Sequence, residues 1–141
     1  PAPGPQLLQV SAQRFIERHE LREEVFGPSS LIVRCASLAE VNAVLAAVGG
    51  SLTVTVWGAD EDTAENRAIV RSATEIAGRV LFAGVPTGVA VTAAQQHGGP
   101  WPSSTAPMTT SVGDAALERF LRPVCLQDAP AWLLARGGVP C

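Results

Sequence analysis

The chain has 141 residues and a mass of 14.6 kDa, about one domain's worth of material. Hydrophobic residues make up 47% and charged residues 16%, against roughly 25% charged in an average globular domain, a balance that excludes a disordered chain. Thirteen acidic and ten basic residues, every basic one an arginine, leave a net charge of −3 with no basic run. A nucleic-acid footprint is therefore not expected, and Schiff-base or phosphate-loop lysine chemistry is excluded.

No stretch approaches about 18 consecutive apolar residues, so no membrane span is expected. Pro1-Ala2-Pro3-Gly4-Pro5 lacks the charged and apolar regions of a signal peptide, and no initiator methionine precedes it. The chain is thus expected to be processed or cut from a longer protein. Cys35, Cys125 and Cys141 are too few and too scattered for a disulfide scaffold or a zinc knuckle. A reducing cytoplasm is the expected compartment.

In chain order, Ser11 to about Glu24 reads as a helix, with Ala12, Phe15, Ile16 and Leu21 on one face. His19 leaves two shorter turns as an equal alternative, and Gly27-Pro28 stops the segment. Leu31-Ile32-Val33 reads as a buried strand over 31–34. Ser37-Leu38-Ala39-Glu40 forms a capping box for a helix over 37–48, closed by Gly49-Gly50. Residues 52–57 alternate as a strand; Asp62 or Thr63 starts a helix to 77 that Gly78 caps. Strand 79–83 is apolar on both faces, as a central parallel strand is. The fold class is α/β, a βαβαβ parallel sheet with a long loop over 84–112 and a C-terminal strand. One helix covers too little of the second sheet face, so an apolar flank is expected to lie bare.

Four groups of residues suggest chemistry. Cys125 with His97 is either a thiol–imidazole pair or a buried structural cysteine beside a loop histidine. Asp60-Glu61-Asp62 suggests a metal or, more simply, carboxylates favouring a helix dipole, and no metal site is expected. Gly98-Gly99 sits in no dinucleotide-binding pattern and signals only loop shape. In Glu23-Glu24-Val25-Phe26-Gly27-Pro28, Glu24 suits ribose hydroxyls and Phe26 a flat ring. The simpler reading of the pair is a solvated helix end and a core phenylalanine.

With Arg22-Glu23-Glu24-Val25-Phe26-Gly27-Pro28 the chain resembles the E-x-F-G-P motif of the aldehyde dehydrogenase superfamily. Pro86-Thr87-Gly88-Val89, His97-Gly98-Gly99-Pro100, Thr110-Ser111-Val112-Gly113 and Glu118-Arg119-Phe120-Leu121-Arg122-Pro123-Val124-Cys125 follow in order and resemble its α-ketoglutarate semialdehyde (2,5-dioxovalerate) branch. The likeness runs from about Leu7 to Pro130. It implies that residues 1–112 are the C-terminal part of the catalytic domain, and 113–141 a terminal helix, an assembly strand and a tail. It implies NADP or NAD as cofactor, with Glu24 on the nicotinamide ribose and Phe26 at the nicotinamide end. By the same resemblance, His97, Trp101 and Ser103 are expected on a loop bordering the aldehyde entrance, and Arg122–Gln127 on the strand of homo-oligomer assembly. The family's reaction is thiolate attack on the aldehyde, hydride transfer and thioester hydrolysis. Its nucleophilic cysteine, general base and oxyanion asparagine match no residue here, so the chain alone is expected to be inactive. Ala83 also departs from the family's usual asparagine. The alternative is a stand-alone interaction module that kept the fold and lost the chemistry.

Overall fold

Leu7, Leu8 and Val10 form a strand ahead of the first helix, in a computed structural model that describes residues 4–85, 88 and 91–137. Pro86, Thr87 and Val89 of the loop motif, and Cys141, lie outside the described residues. The first strand, β1 (Gln6–Ser11), pairs in parallel with β2 (Ser29–Arg34), with Gln6 opposite Ser29 and Ser11 opposite Arg34. Ser11 ends β1 and caps α1 (Ala12–Glu17), its hydroxyl accepting from the Arg14 amide at 3.3 Å. The single helix expected over 11–24 does not form. Arg18 turns extended, and a 3-10 turn over His19–Arg22 follows. Six residues is too short for helical propensity to hold past such a break.

The capping box at Ser37 is present in modified form. The Ser37 hydroxyl accepts from the Glu40 amide at 3.2 Å, while the Glu40 carboxylate reaches one residue further back, to the Ala36 amide at 2.7 Å. This opens α2 (Leu38–Val48). Gly49 ends it at φ 75°, a left-handed conformation glycine adopts without strain, and its amide bonds Leu45. Then come β3 (Ser51–Thr55), α3 (Ala64–Ile76) and β4 (Ala77–Leu81). Thr63 caps α3, accepting from the Asn66 amide at 3.1 Å. The acidic run just ahead of it serves an ion pair, Asp62 taking both Nε and Nη2 of Arg67.

Gly78, expected to cap α3, instead lies within β4, because helix passes to strand at Ala77 with no linker. The sheet also differs from expectation. β3 and β4 pair in parallel, but among the described residues β2 and β3 share no ladder, so the strands form two separate pairs and not one βαβαβ sheet. The reason lies in α2. Its principal contacts are sideways, with α1 and α3, and Ser72 of α3 donates to Asn42 of α2 at 2.9 Å. No strand is among its principal contacts, so its packing does not hold β2 beside β3.

Described residues between 82 and 113 form neither helix nor strand, as the loop reading requires. A 3-10 helix spans Asp114–Phe120 and α4 spans Ala131–Ala135. The strand expected at Arg122–Gln127 does not form: these residues belong to no helix or ladder among the described residues. No helix among them is long and apolar enough to cross a membrane. Among the described residues the buried apolar side chains are Ala12, Phe15, Val56, Ala73 and Ala77, and no large one is fully enclosed. The accessible surface is 10479 Å², against roughly 6,900 Å² for a compact monomer of this mass.

Candidate functional site

Two candidate sites stand on different parts of the chain. The first is the segment between the 3-10 turn and β2. Glu23 leaves the turn in extended conformation and pairs with His19, Nδ1 to Oε1 at 3.4 Å. Glu24 makes no hydrogen bond among the described residues and is exposed. It borders an open hollow of about 460 Å³ shared with Leu8, Leu21, Val25 and Leu31. Phe26 is 93% exposed, so it is not the core residue that the simpler sequence reading allows. Glu24 is thus an uncommitted carboxylate two residues from an uncovered phenyl ring, beside a hollow that Glu20, Glu23, Ser29 and Ser30 line together with the apolar side chains. The carboxylate offers acceptors to a diol, and the ring offers a stacking face.

The second is the loop over 95–113. Three glycines let its backbone lie against the N-terminal ends of β3 and β4. A Cβ on Gly78 would strike the carbonyl of Gly98, one on Gly99 the carbonyl of Ser51, and one on Gly50 the carbonyls of Pro100 and Trp101. Thr110, 3% exposed, ties the loop internally: its hydroxyl accepts from the His97 amide at 2.9 Å and donates to the Val112 carbonyl at 2.9 Å. His97 Nδ1 lies 2.8 Å from the Ser111 hydroxyl, which also donates to the His97 carbonyl at 3.2 Å. Ser103 spends its hydroxyl on the Pro100 carbonyl at 2.7 Å. Trp101 is 73% exposed at the loop's rim. Thus the structure gathers His97, Trp101 and Ser103 on one anchored loop. His97 and Trp101 present side chains at its surface, whereas Ser103 is a strut of the turn.

The cysteines lie apart from both. Cys125 is exposed, not buried, and has no hydrogen bond to His97, whose ring bonds Ser111. Cys35 is half-buried; burial pushes its thiol up, and the Glu40 carboxylate nearby adds to the rise. A thiol made harder to ionise is the opposite of an activated nucleophile. Sequence reasoning assigned no role to Thr110, Ser111 or Arg22. The first two lie 13 and 14 residues from His97, a spacing with no periodic meaning, and only the motif Thr110-Ser111-Val112-Gly113 marked them.

No protein-family model matches the chain. Among curated proteins it is 48% identical over 134 residues to alpha-ketoglutaric semialdehyde dehydrogenase 2 of Azospirillum brasilense, covering 95% of this chain and 26% of that enzyme. It is 40% identical over 131 residues to alpha-ketoglutaric semialdehyde dehydrogenase of Acinetobacter baylyi, covering 92% of this chain and 25% of that enzyme. It therefore spans about a quarter of the length of these relatives. Sequence shared at this level over more than nine-tenths of its residues makes the chain a segment of the aldehyde dehydrogenase superfamily.

Proposed function

We propose that these residues are the part of an NAD(P)-dependent aldehyde dehydrogenase that holds the nicotinamide end of the cofactor and borders the aldehyde entrance. The whole enzyme oxidises α-ketoglutarate semialdehyde, or a similar small aldehyde, to its acid. The observation that carries this reading is the 48% and 40% identity to two enzymes named for that substrate. The exposed Glu24 and Phe26 support the cofactor contact, and the tethered His97–Ser103 loop supports the entrance.

Bound NAD(P)⁺ supplies the hydride acceptor. Glu24 would hold its ribose by accepting hydrogen bonds, Phe26 would contact its nicotinamide end, and the loop would limit access for the aldehyde. The nucleophilic thiol, the general base and the oxyanion amide belong to residues outside this chain. The raised Cys35 thiol and the unpartnered Cys125 support that assignment.

The bare surface supports the same reading. Among the described residues both strand pairs leave both outer edges unpaired, and Leu7, Phe120, Leu121 and Val124 are 63% or more exposed. Two-stranded sheets are marginal alone; here they await the rest of the catalytic domain. The segment Arg122–Gln127 joins a neighbouring subunit in a homo-oligomer. Free thiols at Cys35 and Cys125 suit a cytoplasmic location.

The isolated 141 residues are expected to turn over no short aldehyde and no α-ketoglutarate semialdehyde with either cofactor. Co-expression with the remaining three-quarters of the Azospirillum brasilense relative is expected to give NAD(P)-dependent oxidation. Turnover by the chain alone that disappears on replacing Cys35 or Cys125 would refute this division of labour.

A further inference from the structure

The segment that carries Glu24 and Phe26 has neither ladder nor helix of its own between the 3-10 turn and β2, so it is positioned from its ends. At the near end stands Arg22, half-buried, whose Nη1 donates to the carbonyl of Ala47 at 3.2 Å. Ala47 lies in the last turn of α2, where carbonyls lack helical partners and a cation meets the negative end of the helix dipole. The Nε of Arg22 is shut off from solvent and has no partner among the described residues. A buried, unpaired N–H on a charged group is costly, and a side chain that filled the same space without charge would avoid the cost. A guanidinium held there at such a cost, with one N–H on a helix-end carbonyl, suits a role beyond packing.

We infer that Arg22 is a positioning residue: clamped to the C-terminal end of α2, it fixes the start of the extended segment and hence the Glu24 carboxylate. Two extended residues reach at most about 7 Å, so movement of Arg22 passes to Glu24 with little slack. This rests on the assignment of Glu24 to the nicotinamide ribose. Lysine offers a single ammonium in place of the planar fork and replaces the guanidinium only in part.

The test uses the full-length dehydrogenase carrying these residues. Arg22→Met is expected to speed exchange of the Leu21 amide, which bonds the Arg18 carbonyl at 3.2 Å in the 3-10 turn that Arg22 ends, about tenfold in the cofactor-free enzyme. It is expected to weaken NAD(P)⁺ binding, read by calorimetry, by about tenfold while the KM for aldehyde stays put. Arg22→Lys recovers part of both, and it decides the matter if the Met variant does not fold. In a Glu24→Gln background, Arg22→Met adds no further loss of affinity. Unchanged exchange in both Arg22 variants overturns the clamp. An equal loss of affinity with or without the Glu24 carboxylate overturns action through Glu24. Glu24→Gln with wild-type affinity overturns the ribose assignment instead, and the exchange result still judges the clamp.

Discussion

Gly78→Ala isolates the feature that anchors the long loop. A Cβ at Gly78 would strike the Gly98 carbonyl oxygen, lie 2.6 Å from its carbon and 3.0 Å from the Gly99 Cα. All three atoms are backbone, so no side chain can swing away, and the cost falls toward the upper end of overpacking, ~3 kcal/mol. Alanine recovers ~0.5–1 kcal/mol because it is less flexible than glycine in the unfolded chain. The net loss of about 2 kcal/mol amounts to roughly thirtyfold in the opening equilibrium of the loop. Hydrogen exchange reads this at the amides of His97, Ser103 and Ser111, whose partners are Thr110 Oγ1, Pro100 O and His97 O at 2.9, 3.0 and 3.2 Å. These amides are expected to exchange about thirtyfold faster, while those of β1 and β2 keep their protection. Gly27→Ala is the control: nothing lies within 4 Å of a Cβ there, and no change beyond ~0.5 kcal/mol is expected. Wild-type protection at the three loop amides in Gly78→Ala would show that the loop does not rest on the strand ends.

Thr110→Val removes a hydroxyl that serves both the His97 amide and the Val112 carbonyl at 2.9 Å. It is expected to cost ~2–3 kcal/mol of loop stability, read as faster proteolysis between 95 and 113. Ser37→Ala is expected to cost ~1 kcal/mol at the start of α2 and to release the Glu40 amide to exchange, whereas Ser37→Asp keeps the cap. For Cys35, burial first and Glu40 second raise the thiol above its unfolded value. The stability gained by keeping it neutral is therefore present below the ordinary thiol range and lost as pH rises through the folded value. The pH profile of its alkylation is expected to lie higher in the folded than in the denatured chain, and Glu40→Gln is expected to lower it. Coincident profiles would contradict the burial argument.

Local chemistry was readable where a few adjacent residues settle the outcome. Ser37 with Glu40, Thr63 and Gly49 mark helix ends because a hydroxyl, a carboxylate or a glycine acts within four residues of itself. Arg22 to Pro28 carried its motif openly for the same reason. Phe26, by contrast, read as core or contact, since exposure depends on what else packs nearby; its surroundings leave it 93% exposed. The single helix expected over 11–24 gave way to a short helix and a 3-10 turn because the chain turns extended at Arg18, and the strand ahead of it went unread because Leu7, Leu8 and Val10 pair with residues more than twenty positions away.

Patterns of apolar spacing established that strands alternate with helices, and short signals established where α2 and α3 begin. Which strands pair, and that α2 lodges between two helices instead of bridging the sheets, followed from three-dimensional packing alone. The tie between His97, Thr110 and Ser111 arose the same way. Periodicity records which face of an element is apolar. It carries no information on which distant surface will meet that face, because that choice is made by shape and hydrogen-bond partners that come together only in the folded chain.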